Sequence, residues 1–460
     1  MNDEAIAKFT QSLRGALIGR SHADYDEARK LYNGMIDKRP LLIARCADAA
    51  DVIAAVNFGR DNKLPIAIRG GGHNGPGLGS VDDGLVIDLS MMKGVRVDPA
   101  KRMVRAGAGC VTGDIDHATH AFGLAIPFGV ISTTGVAGLT LSGGHGYLSR
   151  QYGLAIDNLL EADVVLADGR FVTASETENA DLLWALRGGG GNFGVVTSFL
   201  FQAHPASTIY GGPIIWELSD APKIMRWYRD FQATAPEAFY IFLGLQTVPP
   251  GDPFPKEHWG KKMCALLVSH NGPITDGEKA VNAIRAQLPK PIIDWAGPMP
   301  YPALQSLFDG LYPKGLQWYW KGDFVKTLPD AAIDAHLAHA AKLPSAVSAM
   351  HLYPIDGAVH RQKKDATAWN CRDATWSMVI VAVDPDPAKA SELKQWARDY
   401  WAAVHPYDLG GAYPNFMMED EGEGRLTATF GDNYKRLAAL KKKYDPANLF
   451  RVNHNIRPAA

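Results

Sequence analysis

The chain has 460 residues, 47% hydrophobic and 21% charged, which excludes a disordered, collagen-like or coiled-coil protein and predicts two or three packed units. Its 47 Lys+Arg against 49 Asp+Glu leave a formal net charge of -2, too small to draw it to nucleic acid or to an anionic membrane. Glycine supplies 46 of the residues, above the usual ~7%.

The opening MNDEAIAKFTQSLRG has no basic stretch leading into an apolar one, so it does not read as a secretory signal. No apolar run approaches the ~20 residues that cross a bilayer. A cytoplasmic protein with no membrane partner is expected. Ala49 to Arg60 has helical spacing behind Asp48, a residue type that caps helix starts. Leu64 to Ile68 looks extended, and Leu85 to Leu89, Gly94 to Val97 and Arg102 to Ala106 are strand candidates. Val111 to Phe122 reads as a helix, Asp163 to Thr173 as a hairpin turning at Asp168-Gly169, and Ala180 to Leu186 as a helix before a strand that ends near Phe201.

Beyond Pro205 the pattern changes. Ile209 to Leu218, Phe239 to Gln246, Met263 to Ser269, Leu316 to Asp323, Ala346 to Tyr353 and Thr375 to Val383 are strand candidates. They alternate with helical stretches at Ala221 to Ala235, Gly277 to Leu288, Pro329 to Lys342 and Ala388 to Ala403. Pro249 to His258 and Pro289 to Pro302 read as proline-rich surface loops. The expected fold class is α+β, with small packed sheets first and one larger sheet with helices on one face after them, not a doubly wound parallel sheet.

The glycines are concentrated in three places: Arg69 to Ser80 (RGGGHNGPGLGS), Gly129 to Gly146 (GVISTTGVAGLTLSGGHG) and Arg187 to Gly194 (RGGGGNFG). Such runs cost backbone entropy and persist where the chain turns sharply or brings its amides close to a ligand. They fit closely spaced N–H donors for phosphate. Gly75-Pro76-Gly77-Leu78-Gly79 does not fit the dinucleotide fingerprint, a GxGxxG that opens a helix with an acidic residue about twenty positions later, and the GxxxxGK[ST] loop is absent, so a nucleotide held here lies outside those two designs.

Other chemistries are poorly supplied. His117 and His120 share a helix without an HExxH motif, so no metal is expected. There is no G-x-S-x-G elbow. Cys46, Cys110, Cys264 and Cys371 are scattered and form no CxxC pair.

RGGGHN, the block from Gly129 through GYLSRQYGLAIDN, LLWALRGGGGNFGVVTSF, and the tail AYPNF followed by TFGDNYKRLAALKKKYDPANLFRVNHNI occur in one order. Together, over about Pro40 to Pro458, they resemble the FAD-linked oxidoreductases of the vanillyl-alcohol oxidase superfamily, with a PCMH-type FAD-binding domain. Within it they are most similar to the berberine bridge enzyme-like group, including the bacterial hydroxynicotine oxidases. The resemblance implies an FAD domain over residues 1–205 (core about 36–205), a substrate domain with a large antiparallel sheet over 206–410, and a segment, 411–460, returning to the FAD domain.

It further implies that Arg69, Gly70, Gly71, Gly72, Asn74 and Gly75 cradle the FAD pyrophosphate, and that His73 is joined covalently to the isoalloxazine. Thr134, Gly135, Gly138, Gly143, Gly144, Tyr152, Gly153, Val195, Asn453 and Asn455 are its other expected FAD neighbours, Thr134 at a position that influences oxygen access. Many members carry a second, cysteinyl bond; Ile131 stands at that position here, which implies attachment through one histidine only.

By the same resemblance, Tyr413 is the first candidate for the base, or else an aromatic wall residue; Phe416 replaces the final tyrosine of that motif. Tyr147 and His145 are further catalytic candidates, His145 as polar machinery or as a packed imidazole. Trp318, Trp320, His351, Tyr353 and Trp376 recur on strand candidates. Alternate residues share a face, so Trp318 and Trp320 form either an aromatic roof over the ring or core beneath the helices. The expected activity is hydride transfer from a small, aromatic or alcohol-bearing organic substrate to FAD and on to O2, giving H2O2. A dehydrogenase using another acceptor, or a non-catalytic flavin-binding relative, stays open.

Overall fold

The structure, a computed structural model, describes residues 3–460; Met1 and Asn2, the start of the N-terminal reading, lie outside it. The first sheet takes its strands in the order Ala16–Gly19, Leu42–Arg45, Leu85–Asp88, Ile66–Arg69. Its last three strands are parallel and its first antiparallel. The helix Ala49–Asp61 starts where Asp48 accepts bonds from the amides of Ala50 and Asp51. It buries Val52, Ala55 and Val56 against this sheet.

A second, antiparallel sheet runs Val95–Asp98, Met103–Gly107, Val195–Gln202, Leu159–Val165, Phe171–Ser175. The hairpin between its last two strands turns at Gly169, whose φ of +86° suits glycine. The helix of the 111–122 region is shorter than its pattern suggested, Thr112–His120. One core joins both sheets and also takes in Phe430, Leu437, Leu440, Phe450 and Ile456, so the tail folds back onto the first two sheets.

The third sheet is antiparallel, ordered Ile293–Asp294, Thr208–Glu217, Lys262–His270, Phe239–Thr247, Ala349–Pro354, Trp376–Asp384, Gln317–Val325. The helices Ala221–Gln232, Ile274–Gln287, Asp330–Ala340 and Ala390–Val404 supply residues to the core on one face of it. Strand alternation settles the tryptophans. Trp376 points into that helical core, where its indole donates to the Tyr228 hydroxyl at 2.9 Å. Trp318 lies on the opposite face with Val381 and Tyr353.

The 289–302 stretch corrects the surface-loop reading. Ile293–Asp294 and Gly297–Pro300 pair with Thr208–Glu217. Pro298 and Pro300, lacking an N–H, are tolerated because this pairing lies at a sheet margin. Among the described residues, no helix is long and apolar enough to cross a membrane.

Candidate active site

A cavity of about 330 Å³ separates the first two sheets from the helix-free face of the third. All three glycine clusters reach it. Arg69 ends its strand paired with Asp88, the residue in register beside it, at 2.8 Å, and both are buried. The chain then enters the first glycine loop.

Gly71 and Gly135 allow the first and second loops to lie backbone against backbone. A β-carbon at Gly71 would fall 2.5 Å from the Gly135 nitrogen, and one at Gly135 would fall 2.3 Å from the Gly71 nitrogen. The second loop is anchored by Thr112 donating to the Thr134 carbonyl and Val136 to the Cys110 carbonyl, both at 2.9 Å. In the third loop Gly191 faces open space, with nothing within 4 Å of where its β-carbon would be.

The third loop and the tail are tied by buried polar groups. Asn192 donates to the Gly189 and His454 carbonyls, at 2.9 and 3.2 Å, and accepts from the Ile456 amide at 2.9 Å. The Lys441 ammonium donates to the Asn192 and Phe450 carbonyls at 2.7 and 2.8 Å and to Asp445 at 2.6 Å. Asp445 in turn accepts from the amides of Leu449 and Phe450.

His73 stacks on Tyr32, with ring centroids 3.8 Å apart. Its Nε2 lies 3.2 Å from the Thr133 hydroxyl. Burial pushes its pKa down to about 4, so at neutral pH the imidazole is uncharged and keeps a nucleophilic lone pair.

Towards the third sheet the wall becomes aromatic. The Tyr413 oxygen accepts from the Gly144 amide at 3.1 Å and the Asn415 side chain at 2.8 Å. Burial nevertheless pushes its pKa up to about 12. His145 sits 4.6 Å from the Tyr413 ring, and burial holds its pKa down at about 3. His351 Nδ1 lies 2.7 Å from the Tyr353 hydroxyl.

Several buried polar atoms of the wall have no protein partner: Arg69 Nη1, both His145 nitrogens, His351 Nε2, His454 Nε2 and the Trp318 and Trp320 indole nitrogens. Polar atoms left bare in this way are costly unless a ligand meets them.

Of the residues singled out from the sequence, Arg69, Gly70, Gly71, Gly72, His73, Asn74, Thr134, Gly135, Gly138, His145, Tyr413 and Asn453 line the cavity. The wall does not include Gly75, Gly143, Gly144, Tyr147, Tyr152, Gly153, Val195 or Asn455. Gly75 lies beneath Trp320 and Met418, and Gly143 beside Trp369. Tyr147 packs on Tyr240 and Phe242. Tyr152 stacks on His204 at 4.0 Å, and Gly153 faces Asp157. Val195 is buried in the core of the second sheet. None of the four cysteines reaches the cavity; Ile131 does. The wall also holds Tyr32, Tyr312 and His454, which the motifs did not mark.

Residues 40–175 match the model of an FAD binding domain, and residues 412–457 match the model described as berberine and berberine like. An FAD-linked oxidoreductase of Dictyostelium discoideum is 30% identical over 99% of this chain and 97% of its own. The chain belongs to the berberine bridge enzyme-like family.

As a member of this family it is an FAD-linked oxidoreductase acting on an organic substrate. Among its relatives is the (R)-6-hydroxynicotine oxidase of Paenarthrobacter nicotinovorans, 30% identical over 97% of both chains. The crystal structure of 6-hydroxy-D-nicotine oxidase from Arthrobacter nicotinovorans superposes with a TM-score of 0.86 at 26% identity, covering 97% of this chain and 99% of that one. The family's cofactor fits the residues present: two glycine loops packed backbone on backbone at Gly71 and Gly135, a third whose Gly191 faces open space, an uncharged histidine in the wall, and buried polar atoms without protein partners.

Proposed function

We propose that the protein is an oxidase. It carries FAD through His73 alone, takes a hydride and a proton from a small aromatic or alcohol-bearing substrate, and delivers the electron pair to O2, giving H2O2. The observation that carries this reading is a single cavity running from the three glycine clusters to His145, Tyr413, His351 and Tyr353. Residues 1–205 and 411–460 hold the cofactor in this reading, and 206–410 cover the substrate. The relationship to an enzyme named as an oxidase, at 30% identity over nearly full length, supports O2 as acceptor.

FAD, when bound, supplies the hydride acceptor and the route to O2. The protein supplies the proton chemistry and the surroundings. Oxidising an alcohol carbon removes one hydride and one hydroxyl proton. In this reading Tyr413 takes the proton: the two N–H donors on its oxygen favour the phenolate and offset in part the burial that raises its pKa. His145, uncharged and with both nitrogens free of protein partners, offers the substrate one donor and one acceptor. Trp318 and Trp320 line the wall opposite the glycine loops and exclude water. Attachment at one point is supported by Ile131 in the wall and by a lining that holds no cysteine among the described residues.

The test is anaerobic. Substrates of these classes should bleach the flavin, and admitting O2 should restore the colour with one H2O2 formed per substrate oxidised. Colour that returns only with an artificial acceptor would make the enzyme a dehydrogenase. A flavin that no substrate bleaches would leave a non-catalytic relative.

A further inference from the structure

A second, smaller pocket of about 260 Å³ opens on the same helix-free face of the large sheet. Ile215, Ala265 and Leu267 form its floor, and Phe254, Phe308 and Leu311 cover it. Gln246 and Asp252 bring its only side-chain carbonyl or carboxylate groups. Such a lining suits hydrocarbon, not a charged or sugar-like ligand.

Side chains of this pocket's lining touch side chains of the cavity's lining. Phe242 lines the pocket and His351 the cavity, with ring centroids 5.3 Å apart. Phe308 lines the pocket and Tyr312 the cavity, 6.4 Å apart. His351 can lean over the neighbouring strand because the residue in register with it is Gly244, where a β-carbon would fall 3.2 Å from His351 Cδ2. Whichever ring nitrogen carries the proton, the bond between Nδ1 and Tyr353 leaves Nε2 unspent at this partition.

The mouth of the pocket is apolar as well. Trp295 and Leu307 are each 37% exposed. Trp259, equally exposed, donates its indole N–H to the Phe254 carbonyl at 2.8 Å. Large apolar groups exposed together around a concavity mark a binding surface better than single ones do.

We propose that this pocket is a subsite for the aryl or alkyl part of the substrate, entered past Phe242 and His351, while the reacting carbon stays beside His145 and Tyr413. The proposal rests on the oxidase reading for the position of that carbon. His351 Nε2 then meets a polar atom of the substrate where it crosses the partition.

The holoenzyme can be titrated with N-phenyl-1-naphthylamine, a neutral dye that fluoresces in apolar pockets, and the dye displaced with 1-alkanols of increasing length. Each added methylene should tighten alkanol binding about fourfold until the pocket is filled. Longer alkanols should also perturb the flavin absorption band. Ala265→Leu should weaken the dye and flatten the chain-length dependence in part, and Ala265→Phe should do so fully, with the flavin spectrum unchanged. The smaller substitution keeps the test informative if the larger one does not fold. Unaltered dye and alkanol binding in a folded Ala265 variant would overturn the subsite, as would alkanols that never perturb the flavin. Because neither titration needs turnover, a protein that binds both probes as expected, yet is bleached by no substrate, would refute the oxidase reading alone.

Discussion

Lys441→Met should destabilise the holoprotein by about 3–5 kcal/mol, a large share of an ordinary folding margin. The Lys441 and Asp445 side chains are completely buried. Removing the ammonium leaves the Asp445 carboxylate without its counter-charge and strips a donor from the Asn192 and Phe450 carbonyls. Those carbonyls belong to the third glycine loop and to the returning tail, and both segments line the cavity. The loss should therefore appear twice, as a lower denaturant midpoint and as less FAD incorporated. Lys441→Met/Asp445→Leu should recover part of the midpoint, since it removes the unpaired carboxylate as well. A single variant as stable as the parent would show that the pair contributes nothing.

Tyr413→Phe should lower kcat by about 10²–10⁴-fold, the range for loss of a positioned base, while FAD stays bound. The companion variant is Asn415→Leu. Asn415 is a positioning residue whose N–H favours the phenolate. With the phenolate as the active form, the rate rises with pH through the Tyr413 pKa. Removing the donor raises that pKa and moves the rising limb to higher pH. If Tyr413 were only a wall residue, Asn415→Leu would change the rate without moving the limb.

The architecture was largely legible because its strands and helices have plain periodicity, and because the glycine runs mark places where backbone meets backbone or ligand. Gly71 against Gly135 is the clearest instance. Parity along a strand puts Trp318 and Trp320 on one face, but nothing local says which face meets the helices, and only the register with the next strand sets Trp376 on the other. Tyr32 was invisible. It sits in a polar stretch, and its stacking on His73 is made only by the fold.

Lys441 lies in a KKKY run with no role in the reading of the sequence. Helical spacing carries the signal, since 437, 440, 441 and 444 share a side, and Leu437, Leu440 and Tyr444 are buried with it. Pro289 to Pro302 looked like a loop because proline weakens strand patterns, although a sheet margin accepts it. Tyr147 and Tyr152 adjoin the second glycine cluster in sequence. Their rings turn instead into aromatic packing beneath the large sheet and against His204.

Under the proposed function this cavity holds FAD bonded to His73 and to no cysteine. Mass spectrometry of the acid-precipitated, trypsin-digested protein tests it most directly. The tryptic peptide beginning at Gly70 should carry one FAD less two hydrogen atoms at His73, and His73→Ala should release all of its flavin into the acid supernatant. Wild-type flavin found free in that supernatant, or attached to a cysteine, would contradict the account.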